Sequence, residues 1–178
     1  METHQLTKEE LRATKKNRNE FLNIERNDIY IVLDSFKCAH NVGTLLRLSD
    51  ALLIKKVYIC GNTIVPPNRK IKSSSRGAEK WVPWEYRENI VDVIMELKNK
   101  GVTIVSAEIA DNSIDYTELE CKLPICLVFG REYDGVSQEV LKLSDYIVHL
   151  PIFGMTNSIN VSTSASVLMY DVYNKFVK

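Results

Sequence analysis

Apolar residues in this chain fall into short, dense runs separated by longer stretches in which they recur every three or four positions. Residues 29–34 (IYIVLD), 56–60 (KVYIC), 102–108 (VTIVSAE), 125–130 (ICLVFG) and 146–150 (YIVHL) are short, β-branched and almost continuously apolar. Continuous rather than alternating hydrophobicity predicts strands covered on both faces, as in a largely parallel sheet. Between these runs, residues 42–53, 89–101, 137–145 and 164–176 carry the helical period, with Ser137 as a start signal and Gly101 as a stop. Strand alternating with helix predicts an α/β fold, a mostly parallel sheet with helices on both faces. Ahead of the first run, Thr7 and Glu10 form a capping box before a charged segment expected to be helical to about Ile24, where Leu11, Phe21 and Leu22 make a thin apolar stripe. The chain thus divides into an N-terminal helical extension, 1–27, and a domain, 28–178. The longest loop is expected after Pro66 and Pro67, through a polar, basic run ending at Arg76.

Composition narrows the function classes. With 178 residues, 45% of them hydrophobic, the chain can bury one sizeable core. Lys plus Arg and Asp plus Glu number 23 each, so net charge draws no nucleic acid and any RNA contact must use local patches. Arg12, Lys15, Lys16 and Arg18 form one candidate patch; Arg69, Lys70, Lys72 and Arg76 form a second, interleaved with serines able to bond phosphate. Cys38, Cys60, Cys121 and Cys126 make no C-x-x-C pair and read as reduced core thiols, with no metal site or disulfide framework. No apolar run is long enough to span a bilayer and the charged amino terminus lacks a secretory core, so the expected setting is cytoplasmic, with no membrane partner.

Three polar clusters follow strand ends, where α/β proteins place their chemistry. The first holds Asn41, Gly43 and Arg47 at the mouth of a helix expected to begin near Asn41, which would set Arg47 on the strand-end side, within reach of a cleft. The second, GREYDG, puts Gly130 directly after a strand, Glu132 in the turn and Gly135 before the Ser137 cap. The third, PIFGMTNSINVS, joins the last strand to the last helix through Pro151, Gly154, Ser158, Asn160 and Ser162. Singly, each also fits an ordinary cap, turn or serine-rich helix start. Neither a G-x-G-x-x-G fingerprint nor a G-x-x-x-x-G-K-[ST] loop occurs, which disfavours ordinary nucleotide hydrolysis.

In order, N-x-G-x-x-x-R (Asn41, Gly43, Arg47), G-x-E-x-x-G (Gly130, Glu132, Gly135) and P-x-x-G-x-x-x-S-x-N-V-S (Pro151, Gly154, Ser158, Asn160, Val161, Ser162) resemble the three motifs of the SpoU/TrmH branch of the SPOUT RNA methyltransferases. The segment 74–82, SSRGAEKWV, resembles that branch between its first two motifs. The resemblance implies an S-adenosylmethionine-dependent 2'-O-ribose methyltransferase of tRNA or rRNA, with a C-terminal deep trefoil knot, acting as a homodimer packed through the knot and the terminal helix. It implies that Arg47, Asn41, Glu132, Ser158 and Asn160 form the catalytic group. It places the cofactor on Gly130, Leu150 and Ile159, with Ala107, Phe129 and Ile152 lining the adenosine pocket; Arg69, Lys72 and Arg76 of the second basic patch are the candidates to bind RNA. Because a guanidinium stays protonated, Arg47 is expected to clamp an RNA phosphate and stabilise a developing alkoxide rather than act as base. His40 is a further candidate base, and His149, inside a strand, is expected to be a hydrogen-bonded core residue. The alternatives are a knotted methyltransferase acting on a base nitrogen and a non-catalytic RNA-binding dimer.

Overall fold

The computed structural model describes residues 3–17, 20, 21 and 23–178. Its elements are α1 (Lys8–Ala13), β1 (Asn27–Asp34), α2 (Ala39–Ala51), β2 (Ile54–Cys60), α3 (Arg69–Ser75), β3 (Trp84–Arg87), α4 (Ile90–Asn99), β4 (Thr103–Ala107), β5 (Ile114–Asp115), β6 (Ile125–Phe129), α5 (Gln138–Leu143), β7 (Tyr146–His149) and α6 (Val161–Phe176). The strands form one sheet in the order β3-β2-β1-β6-β4-β7-β5, and every pairing is parallel. Side chains alternate between its faces. On one face Ile29, Ile31, Leu33, Ile125, Leu127 and Phe129 pack with Val42, Leu45 and Leu46 of α2, Ile71 of α3, and Leu168, Met169 and Val172 of α6. On the other, Val32, Tyr58, Cys126 and Val128 meet Val93, Ile94 and Leu97 of α4 and Val140 of α5. Burial on both faces explains why these strands read as unbroken apolar runs.

The five anticipated strands and the expected architecture are present, with four differences. Strands β3 (WEYR) and β5 (two residues) are short and only partly buried, and so carry no hydrophobic-run signal. The expected loop after Pro67 contains α3 instead: Asn68 caps it by accepting from the Lys70 and Ile71 amides, and its only buried residues are Ile71 and Ser75, too few to display a period. Helix α2 starts at Ala39, two residues before the expected Asn41, and α6 at Val161, three before the expected Ser164. Helix α1 has the expected Thr7 and Glu10 capping box but stops at Ala13; Arg18 and Leu22 lie outside the described residues. The end of the extension is tied to the domain by Arg26, which donates to the Ile54 and Trp81 carbonyls, while the Phe21 ring meets Trp81 edge-on.

The cysteines separate by burial. Cys60 and Cys126 are buried core thiols and Cys121 is half-buried, but Cys38 is exposed at the start of α2, which corrects its assignment to the core; all four are free. Burial pushes the Cys60 thiol up to about 12 and Cys121 to about 11.

Gly43 marks where α2 and α3 press closest. A methyl group there would land on Ser74 Oγ and 2.6 Å from the Ile71 carbonyl oxygen. Alanine favours a helix over glycine by about 1 kcal/mol, whereas overpacking costs about 1–3 kcal/mol. Gly43→Ala should therefore lower stability despite its better propensity, by up to about 2 kcal/mol in urea denaturation; a stabilised variant would contradict the close packing.

Candidate active site

Three strand ends converge at the carboxyl edge of the sheet. The Glu108 segment leaves β4, Gly130 to Gly135 leave β6, and Leu150 onward leaves β7, with β6 and β7 flanking β4. They enclose a cleft of about 300 Å³ lined by Ala107, Glu108 and Ile109, by residues 130–133 and 135, by Val148, His149, Leu150 and Ile152, and by Ser158 to Val161 with Ser164. The turn after β6 is closed by reciprocal backbone bonds between Arg131 and Gly135, at 3.1 and 3.0 Å. Two glycines are required in it. A side chain at Gly130 would strike the Gly135 backbone, and Gly135 has a φ of +67° with the Glu108 carboxylate directly over it. Glu108 in turn accepts from the Ile109 amide (2.9 Å) and the Val136 amide (2.8 Å), bracing one side of the turn.

Glu132 braces the other side. Its carboxylate accepts from the amides of Lys37 (3.1 Å) and Cys38 (3.0 Å) and from Asn41 Nδ2 (3.2 Å), at the amino end of α2. No side chain of α2's own chain neighbourhood caps that helix, so a carboxylate from the β6 turn supplies the negative charge that its dipole favours. Partial burial pushes the Glu132 carboxyl up, but hydrogen bonds from its own amide, from Lys37 and Cys38 and from Asn41 outweigh this, and the group titrates below its ordinary 4.5.

Asn160 caps α6. Its Oδ1 accepts from the Ser162 amide (2.9 Å) and hydroxyl (2.7 Å), which leaves the Nδ2 group without a partner among the described residues, at the cleft wall. Ser158 also lines the cleft. A second groove of about 820 Å³, lined by Lys37, Cys38, His40, Asn68, Arg69, Lys70 and Asp134 among others, adjoins the first and shares Arg131, Glu132 and Tyr133 with it.

A model of the SpoU rRNA methylase family matches residues 28–170. This chain belongs to the SpoU rRNA methylase family. A Staphylococcus haemolyticus protein assigned to the TrmH family of tRNA/rRNA methyltransferases is 35% identical over 145 residues, 82% of this chain and 58% of its own length. The Escherichia coli (strain K12) tRNA (guanosine(18)-2'-O)-methyltransferase is 29% identical over 154 residues, 85% of this chain and 66% of its own. The chain thus spans somewhat over half the length of such relatives. The crystal structure of the A. aeolicus TrmH/SpoU tRNA modifying enzyme superposes with a TM-score of 0.79 at 28% identity, covering 88% of this chain and 79% of that one. The AdoMet-bound rRNA methyltransferase of Sinorhizobium meliloti shares the fold, with a TM-score of 0.79 at 22% identity over 86% of this chain and 59% of that one.

In this SpoU domain the expected residues do not all meet. Ala107, Gly130, Glu132, Leu150, Ile152, Ser158, Ile159 and Asn160 line the cleft. Phe129 does not; its side chain is in the core, 1% exposed. Asn41 is buried beneath, joined to the site through Glu132. Arg47, six residues on, lies about 9 Å further along α2 and about 240° around it. It is exposed, lines neither cavity and makes no hydrogen bond or ion pair among the described residues. Of the RNA candidates, Arg69 lines the second groove while Lys72 and Arg76 stand outside it. The hydroxyls of Ser74 and Ser75 are spent on α3 carbonyls, and Ser75 also bonds Glu79, so the serines expected to hold phosphate are largely engaged. His40 lines the second groove rather than the cleft. His149 corrects its expected core placement: it ends β7 at the cleft wall, with Nδ1 3.0 Å from Ser113 Oγ. Glu108 was missed, although a carboxylate closing a predicted parallel strand was the available signal.

Because the folded Glu132 titrates below its unfolded value, its stabilisation is complete above about pH 4.5 and is lost as pH falls through the lower folded value. Glu132→Gln should destabilise the protein at pH 7, and the difference from wild type should shrink as denaturation is repeated toward pH 3. A gap independent of pH would show that charge is not what holds α2 to the turn.

Proposed function

We propose that this protein is an S-adenosylmethionine-dependent RNA 2'-O-ribose methyltransferase acting on tRNA or rRNA in the cytoplasm, with 28–178 as the catalytic unit and 1–27 as an appendage tied to it at Phe21 and Arg26. The observation that carries this reading is the convergence of the second and third motif segments with the end of β4 on one cleft at the carboxyl ends of β4, β6 and β7, tied to the first motif by the bond from Asn41 to Glu132. Apolar walls from Ala107, Val148, Ile152 and Ile159, backbone polar groups at Gly130 and Leu150, and the polar side chains of Glu108, His149, Ser158 and Asn160 suit an adenosyl moiety in size and chemistry. The trefoil knot is supported by the strand order, since β7 lies between β4 and β5, which the short connection 108–113 joins.

When bound, the cofactor supplies an electrophilic methyl group on a sulfonium. The protein's share is alignment and charge. The Asn160 amide, fixed by its capping bonds, and the Ser158 hydroxyl orient the ribose hydroxyl and the polar end of the donor. Glu132 and Asn41 hold the turn rather than react, because the carboxylate is already committed to three donors. Arg47 carries permanent positive charge, which suits a clamp on the adjoining phosphate and stabilisation of a developing alkoxide.

Arg47 lies outside its own chain's cleft, which favours a homodimer in which each guanidinium serves the partner's site. An apolar surface supports this assembly: Phe153 is 95% and Met155 100% exposed on the loop after β7, and Val167 and Tyr170 are exposed on α6.

Arg47→Ala should abolish transfer of tritiated methyl from S-adenosylmethionine to RNA by about three orders of magnitude or more while leaving cofactor affinity within a few fold by calorimetry. Retained turnover would reject its role. Asn160→Ala should damage both binding and turnover. Mixing the two inactive variants after subunit exchange should restore about a quarter of the wild-type rate, because half the dimers would hold one intact composite site. No recovery from a confirmed mixed dimer would place Arg47 at its own chain's cleft.

A further inference from the structure

Tyr133 is 97% exposed at the tip of the turn after β6, and it lines both the cleft and the adjoining groove. A large aromatic side chain left this open gains nothing for the fold. The turn is already determined by the Arg131 and Gly135 backbone bonds, by Glu108 and by Glu132, none of which involves the Tyr133 ring. Among the charged side chains of the adjoining groove cations outnumber carboxylates, Lys37, Arg69, Lys70 and Arg131 against Glu132 and Asp134. Lys37, Arg69 and Lys70 line the groove, while the nearest carboxylates are engaged: Glu132 with α2, and Asp134 with Arg131 at 3.7 Å. An exposed ring between the cleft read as the cofactor site and a basic groove matches the way single-stranded nucleic acid is held, with bases stacked on aromatic faces and phosphates along positive charge.

We infer that Tyr133 is the stacking platform for the target nucleobase, with Lys37, Arg69 and Lys70 taking the flanking phosphates. The inference rests on the methyltransferase reading and names how that site holds its substrate. Drawing a stacked nucleotide out to the cleft mouth breaks its base stacking, a cost that a waiting ring face offsets. A ring face reads no hydrogen-bond edge, so Tyr133 fixes the position of the nucleotide without selecting among bases. Selection falls to the groove walls.

The test uses the full chain and total RNA from cells lacking the gene, with tritiated S-adenosylmethionine as donor. Tyr133→Ala should lower kcat/KM for RNA by about 5- to 150-fold, the span equivalent to one lost base stack. Its affinity for S-adenosylmethionine, measured by calorimetry, should stay within about threefold. Tyr133→Phe and Tyr133→Trp should restore activity, and the indole of Tyr133→Trp should be quenched by RNA, relative to wild type, in proportion to occupancy. Four results would overturn the inference: an Ala variant as active as wild type, a Phe variant as defective as Ala, an RNA loss matched by lost cofactor affinity, or a change in oligomeric state by light scattering that makes the ring a subunit contact. A wild-type protein that transfers no methyl to RNA would instead reject the underlying reading, so the two failures are distinguishable.

Discussion

One carboxylate holds the candidate site together. Glu132, in the turn after β6, reaches the amino end of α2 and accepts three hydrogen bonds there, from Lys37, Cys38 and Asn41. Residues more than ninety positions apart in sequence are thereby fixed to within one side chain of each other. The turn that carries Glu132 is itself over-determined, by two glycines with no room for a side chain and by Glu108 from β4. Rigidity of this kind is what alignment of two reactants demands, because a displacement of about 1 Å from productive geometry costs orders of magnitude in rate.

The sheet sets the stage for that tie. All pairings are parallel, so the carboxyl ends of all strands share one edge, and β7 enters between β4 and β5 so that its last residues face the turn after β6. The apolar faces packed by α2, α3 and α6 on one side and α4 and α5 on the other leave the edge as the place where polar groups collect. The cleft and the basic groove meet there, sharing the segment 131–133.

The sequence made the core strands legible because burial on both faces leaves a dense apolar run, and it made the caps legible at Thr7 and Ser137 because those side chains act locally. It concealed whatever depends on distant partners. Strand β5 is two residues whose pairing is decided by β7, and α3 has one apolar position, Ile71, so neither has a pattern to read. Eight of the seventeen cleft-lining residues were anticipated, yet Phe129 packs in the core because strand alternation puts it on the face that α2 and α6 cover, and Arg47 lines neither cavity because six residues of helix carry it about 9 Å along α2 from Asn41. Glu108 and the position of Tyr133 emerge only when β4 and β6 lie side by side.

The chemistry proposed for the cleft is delivery of a methyl group to a ribose oxygen. It is tested most directly by incubating the protein with RNA and S-adenosylmethionine carrying a deuterated methyl group, followed by digestion and nucleoside mass spectrometry. The account predicts a labelled nucleoside whose added mass stays with the sugar when the glycosidic bond is fragmented. A label that departs with the base, or RNA that remains unlabelled while the protein binds both partners, would contradict it.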